Sequence, residues 1–344
     1  MGLRIHWRHT IFLACCLAIV ILVGELAYLK WLPLHPSTTC FVATAKTDDA
    51  NAKTISQLVI YNRIPKTAST SLVNLVYALC EINQVTLALL NVTQSSPFMD
   101  RTGQHILVQN MTHWIRKGPF MLHGHFAYIN FPQFGSEFHP IYINMIRDPL
   151  DRLVSHYYFL RFGDDYRPGL IRKRMKDPKT RMQTFDECVQ NGGLDCHPNN
   201  LWLQVPFFCG HAAYCKIPGN PAAVESAKQH FTENYLFVGL TEAFEDSVHI
   251  LEKLLPQFFS GASNLLKTSD RWHLRRTKGK LPVQEATRTL FQGNPVWQAE
   301  QDFYQFVRAE FYEVRKTLLQ SSSNHIDRTD RYFRFVKIRP KSAY

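Results

Sequence analysis

Three times along the chain, a short apolar run is followed by a turn and then by apolar residues at helical spacing. The first is "LVIY", Leu58 to Tyr61, with the turn "NRIPKTASTS" and then Leu72, Leu75, Val76 and Leu79. The second is "IYINMI", Ile141 to Ile146, with "RDP" and then Leu150, Leu153, Val154, Tyr157 and Tyr158. Asp148 suits the cap of that second helix and Pro149 its first position. The third is "YLFVGL" with "TEAFEDSVHILEKLL" behind it. Short unbroken apolar runs suit strands buried on both faces, and the spacings of three and four that follow suit amphipathic helices. The alternation predicts an α/β chain with a mostly parallel sheet flanked by helices.

In such a sheet, ligands gather at the carboxyl ends of the strands, where helix N-termini present free amides and the positive end of a dipole. The turn after the first run carries Lys66 with Thr67, Ala68, Ser69 and Thr70: one point charge among small groups that add hydroxyl and backbone donors. This composition suits a phosphate or sulfate. It is not a Walker loop, because the pattern GxxxxGK[ST] is absent. An isolated "PKT" would also serve as a plain helix cap. After the second run, Arg147 and, about two helical turns on, Ser155 could hold another anion. Arg147 paired with Asp148 or Asp151 on the surface is the competing reading. Two such turns after two strands point to a ligand with two separated anionic groups. In "HGH", His123 and His125 share a side if the segment is extended. An imidazole with a reference pKa of about 6.5 can accept a hydroxyl proton, although a structural pair or half a metal site is the commoner reading of this triplet taken alone.

Lys and Arg outnumber Asp and Glu by 39 to 28, and the net charge of +11 favours an acidic partner: nucleic acid, an anionic membrane or a polyanionic sugar. The N-terminus narrows that choice. Residues 11–29 begin with the uncharged "IFLACCLAIVILVG" and have the length of a bilayer span. Arg4 and Arg8 precede it and keep residues 1–10 cytosolic. No small-x-small cleavage site follows, which favours a signal anchor over a cleaved signal peptide. Residues 30–55 lack periodicity and suit a stem, and residues 56–344 form one catalytic domain. A luminal domain would rarely meet nucleic acid.

The sequons at Asn91 and Asn110 agree with a luminal location. Cys188, Cys196, Cys209 and Cys215 cluster closely, and in an oxidising compartment they suit two disulfides with three possible connectivities. Local pairing, Cys188 with Cys196 and Cys209 with Cys215, is the expectation. A zinc site is disfavoured by the wide spacing.

"YNRIPKTASTS", "MLHGHFAY", "INMIRDPLDRLVSHYYFLRFGDDYRPGL", "FDECVQNGG" and "LWLQVPFFCGH" resemble the heparan sulfate 2-O-sulfotransferases of the Golgi, from about Leu58 to the C-terminus. The resemblance implies a P-loop-like sulfotransferase fold and the sulfate donor PAPS (3′-phosphoadenosine 5′-phosphosulfate), with no metal required. It implies sulfation of the 2-hydroxyl of hexuronic acid, mainly iduronic acid, in a heparan sulfate chain. Lys66, Thr67, Ala68, Ser69 and Thr70 would hold the 5′-phosphosulfate, and Arg147 and Ser155 the 3′-phosphate. Trp272, Thr277 and Lys280 would close over the nucleotide. His125 would be the general base, with His123 an essential neighbour. Arg63, Arg167, Arg172, Arg275 and Arg276 would face the polysaccharide. The resemblance also suggests a homotrimer in which the C-terminal segment reaches a neighbour.

Two positions depart from the family pattern. Leu89 stands where the family has a histidine that contacts the uronic acid, and His156 where it has a tyrosine. Both bear on acceptor preference. The alternatives are a dermatan or chondroitin uronyl 2-O-sulfotransferase, whose loop differs from "IPKTAST", and a non-catalytic glycosaminoglycan-binding protein. A kinase is disfavoured by the missing glycine-rich loop and metal-binding carboxylates.

Overall fold

The computed structural model describes residues 58–90, 96–114, 118–165, 178–268 and 276–319. The apolar runs form strands: β1 (Leu58–Asn62), β2 (Thr86–Leu90), β3 (Phe120–Gly124), β4 (Ile141–Ile146) and β5 (Tyr235–Leu240). They make one parallel sheet in the order β2-β3-β1-β4-β5. The helices up to β5 are α1 (Ser69–Leu79), α2 (Arg101–Trp114), α3 (Pro149–Phe162), α4 (Pro178–Met182), α5 (Phe185–Gln190), α6 (Gln204–Cys209) and α7 (Pro221–Asn234). After β5 come α8 (Phe244–Leu254), α9 (Pro256–Phe259), α10 (Ala262–Thr268), α11 (Glu285–Gln292) and α12 (Pro295–Leu319).

The helical stripes lie where their spacing places them. None of Leu72, Leu75, Val76 and Leu79 on α1, nor of Leu150, Leu153, Val154, Tyr157 and Tyr158 on α3, is more than 4% exposed. Full burial of one such aliphatic or aromatic side chain contributes about 1.5–3 kcal/mol, so packing, more than helix propensity, holds α1 and α3 in place. β1 and β3 are buried along their whole length, as expected of central strands covered on both faces. Asp148 caps α3 by accepting from the Asp151 amide, with Pro149 at the first turn.

The topology fixes where a ligand can enter. From β1 the chain passes through α1 to β2 on one side of the sheet order, while from β4 it proceeds to β5 on the other. Between the carboxyl ends of β1 and β4 the connections therefore diverge and leave a crevice. Both anion-suited turns open there.

Disulfides join Cys188 to Cys196 and Cys209 to Cys215, the local pairing, with neither crossed pairs nor a thiolate zinc site. Cys80 is disulfide-bonded too, to a partner outside the described residues. The proposed anchor at 11–29, the stem at 30–55 and the sequon at Asn91 also lie outside them. Asn110 falls within α2 and is half-buried. Among the described residues no helix is long and apolar enough to cross a membrane.

Candidate active site

The turn after β1 is a cradle of main-chain donors. Lys66 and Ala68 both have left-handed backbone, with φ of 69° and 60°. A non-glycine residue there costs of order 1–3 kcal/mol, and alternating right- and left-handed residues curl successive amides around an anion. Thr67 steadies the turn by donating its hydroxyl to the Ile64 carbonyl at 3.0 Å. The N-cap of α1, Ala68, has no side-chain acceptor for the helix amides, so the first turn keeps donors for an outside anion. Thr67, Ser69 and Ser71 are buried, whereas Lys66, Ala68 and Thr70 are half-buried at the mouth. The turn thus carries main-chain and hydroxyl donors suited to an anion.

The second turn lies across the crevice. Arg147 sends Nη1 toward the Lys66 carbonyl at 3.5 Å. Lys66 donates from Nζ to Thr277 Oγ1 at 3.0 Å, and Thr277 Oγ1 lies 3.1 Å from Ser155 Oγ. Thr277 thereby joins the lysine of one turn to the serine of the other. Its own segment is tied down by a bridge between Asp164 and Thr277, by the Lys278 amide donating to the Gly163 carbonyl, and by the Arg276 amide donating to Asp165 Oδ1. The Lys66 ammonium also sits 4.2 Å above the Phe159 ring. Lys280 is exposed, and its pKa is lowered by partial burial first and by the Arg147 charge second. Such crowding of cations is costly without an anion between them.

His123 and His125 occupy different environments. His123, inside β3 and 1% exposed, lies level with Tyr61 of β1 and Leu89 of β2 in the sheet register. Its Nε2 is 3.0 Å from the Tyr77 hydroxyl. Burial, then Arg63, then His125 lower its pKa to about 3, so the ring is neutral. His125 follows the last residue of β3, and its Nδ1–H donates to the Arg63 carbonyl at 2.7 Å. A carbonyl only accepts, so the proton of the neutral ring is on Nδ1 and the lone pair is on Nε2. Only glycine fits between the two histidines: a Cβ on Gly124 would meet the Leu90 carbonyl oxygen at 2.5 Å.

The His125 pKa is lowered to about 4, by desolvation first and the Arg63 charge second, against the carbonyl bond that raises it. His125 is solvent-exposed, and water screens part of that shift. His125 is therefore a neutral acceptor at pH 6 to 7, where an unperturbed imidazole would be partly protonated. NMR titration of the free protein is expected to give His125 a midpoint clearly below about 6.5. Arg63→Ala should move it upward, because losing a neighbouring cation favours the protonated ring. A midpoint at or above the reference value, unmoved by Arg63→Ala, would contradict this placement.

Lys66, Arg147, Ser155 and Thr277 are thus linked across the crevice, and Arg63 and His125 meet at the adjoining strand end. Arg276 is exposed with its backbone pinned to Asp165. Arg167, Arg172, Trp272 and Arg275 lie outside the described residues. Among the described residues no cluster of three or more His, Cys, Asp or Glu side chains is arranged to hold a metal ion. His156, next to Ser155 on α3, has its pKa lowered to about 4 by burial first, then by Arg152 and Lys66.

The sequence profile of the sulfotransferase family matches residues 55–307, which span β1, both anion turns, the histidine pair and Thr277. Heparan sulfate 2-O-sulfotransferase 1 of Gallus gallus is 46% identical over 286 residues, 83% of this chain and 79% of its own length. The Homo sapiens protein of that name is 45% identical over the same shares. The chain belongs to the sulfotransferase family. A more distant relative, the heparin sulfate O-sulfotransferase of Drosophila melanogaster, is 43% identical over 87% of this chain and 83% of its own length. The sulfotransferase family implies PAPS as the sulfate donor, and the cradle after β1 fits its anionic groups. Two residues that hold the candidate site's side chains in place escaped sequence reasoning: Tyr77, beside His123, and Gln204, bonded to the Arg147 main chain. Tyr77 lies off the apolar stripe of α1, and nothing in its spacing ties it to His123. Gln204 sits in an apolar run and has no local signal at all.

Proposed function

We propose that the chain transfers sulfate from PAPS to the 2-hydroxyl of hexuronic acid, mainly iduronic acid, in heparan sulfate. The observation that carries this reading is the His125 geometry: an imidazole whose Nδ1 proton is spent on a backbone carbonyl, leaving Nε2 as an acceptor beside the Arg63 guanidinium. PAPS supplies the sulfo group when bound. His125 takes the acceptor hydroxyl proton at Nε2. His123, held by Tyr77, keeps a neutral, buried group next to that base. The amides of Lys66, Thr67, Ala68, Ser69 and Thr70 hold the 5′ end of the donor, and the Lys66 ammonium offsets negative charge on the departing phosphate oxygen. Arg147 and Ser155 hold the 3′-phosphate, with Thr277 and Lys280 beside it, and Trp272 is assigned to the nucleotide by family resemblance. Positioning of the two reactants supplies much of the rate.

Arg63, Arg167, Arg172, Arg275 and Arg276 are assigned to the carboxylate and sulfates of the acceptor, for which planar guanidinium forks are suited. The net charge of +11 supports a polyanionic partner. The same reading makes this a single-pass type II protein of the Golgi membrane, anchored by residues 11–29. It would be glycosylated at Asn91 and Asn110 and assembled as a homotrimer.

The test is sulfate transfer from PAPS to desulfated heparan and to dermatan, followed by disaccharide analysis. Activity on N-sulfated heparan with iduronate preferred is expected, and equal activity on dermatan would replace the heparan assignment with the uronyl alternative. Leu89 is level with His123 in the sheet and cannot donate a hydrogen bond. One such bond contributes about 0.5–1.5 kcal/mol, so Leu89→His should change the iduronate-to-glucuronate ratio roughly two- to tenfold. An unchanged ratio would remove this position from acceptor choice.

A further inference from the structure

Arg147 follows the last residue of β4, and the ladder ends there: β4 pairs with β5 only up to Ile146 and with β1 only up to Ile143. Its amide and carbonyl instead meet one side chain. The Arg147 amide donates to Gln204 Oε1 at 2.9 Å, and Gln204 Nε2 donates to the Arg147 carbonyl at 2.8 Å. The carboxamide thus does the work of a neighbouring strand. A carboxamide offers within one side chain the acceptor and the donor that these two main-chain groups require. Gln204 is fully buried, where a carboxamide is costly unless its bonds are made.

Gln204 is itself held from two ends of a short helix. Glu300 of α12, also fully buried, accepts at Oε1 from the Leu203 amide at 2.8 Å and from the Val205 amide at 3.1 Å, one on each side of Gln204 in the chain. At the other end of α6, Cys209 is bonded to Cys215. Burial raises the Glu300 pKa to about 7, and the charge of Arg152 on α3 keeps it from rising as far as burial alone would push it.

We propose that Gln204 is a positioning residue for the sulfotransferase reaction, fixing the main chain of Arg147 so that its guanidinium faces the donor's 3′-phosphate, with Glu300 clamping the helix start that presents Gln204. This rests on the assignment of Arg147 to the 3′-phosphate. Gln204 does not touch the donor.

The test compares PAP (3′-phosphoadenosine 5′-phosphate) with adenosine 5′-phosphate, which lacks only the 3′-phosphate. Calorimetric titration of the full chain with both gives the affinity ratio due to that group. Gln204→Met, similar in length but without the carboxamide, should lower the ratio about tenfold or more, while affinity for adenosine 5′-phosphate stays within about twofold. Should the Met variant lack a cooperative melt, Gln204→Asn, whose carboxamide is one methylene shorter and cannot meet both Arg147 groups, repeats the measurement with the same expected direction. Arg147→Ala is run beside it. A ratio lowered by Arg147→Ala but not by the Gln204 variant overturns the inference and leaves the Arg147 assignment standing. A ratio unchanged in Arg147→Ala removes the assignment and the inference together. Equal losses for both ligands in the Gln204 variant would mark a merely structural role and also overturn it.

Discussion

His125→Ala is expected to lower kcat for sulfate transfer by about 10²–10⁴-fold while PAP affinity stays within about twofold. With Nδ1–H held by the Arg63 carbonyl at 2.7 Å, Nε2 is the nitrogen free to take a proton, and alanine offers no replacement. The ring touches the loop after β1 only at the Arg63 carbonyl, three residues before Lys66, and does not contribute to the start of α3, so donor binding should survive its removal. Arg147→Ala should do the reverse, weakening PAP binding itself. The two variants are separated by calorimetric titration with PAP beside a transfer assay at saturating donor. Substantial turnover in His125→Ala would remove this residue as the base. A matched loss of PAP affinity would mean that the variant had disturbed the donor site instead.

Lys66→Met is expected to cost about 10²–10³ in kcat, the scale seen when one preorganised charge-stabilising donor is removed. Methionine keeps an apolar stem of similar length against Phe159 but removes the ammonium that bonds Thr277 at 3.0 Å. The backbone is unchanged in kind, because neither residue prefers the φ of 69° found here. Main-chain amides should still bind PAP, with a smaller loss of affinity than of turnover. Lys66→Arg should rescue little, since the planar fork does not match the site of a compact ammonium between Thr277 and the Phe159 ring. A fall in PAP affinity as large as the fall in kcat would make Lys66 a binding residue without a special role as charge develops.

Much of the sheet was legible because strands covered on both faces are largely apolar, and Leu58–Asn62, Ile141–Ile146 and Tyr235–Leu240 stand out as short, mostly apolar runs. The turn at Lys66 was legible as an anion site because it combines small hydroxyl residues with a helix start. Local disulfides were legible from close spacing together with the expectation of an oxidising compartment. β2 and β3 carried weaker signals, since β2 lies at the sheet edge and is mostly half-buried. The left-handed conformations of Lys66 and Ala68 had no signal, because neither residue is a glycine.

The sequence by itself determined the alternation of strands and helices, the residues that face the core, the cation at the first turn and the imidazoles at the end of β3. These follow from spacing and residue type, which act over one or two turns of chain. Only the tertiary structure decided the strand order, and with it the crevice between β1 and β4 where the two anion turns meet. Thr277 could join Lys66 to Ser155, and Gln204 could hold Arg147, only after folding brought together residues that lie 211 and 57 positions apart. The tautomer of His125 was decided the same way, by a carbonyl 62 positions earlier in the chain. Such contacts leave no local pattern, because what selects them is the closure of the sheet and the need to satisfy buried polar groups.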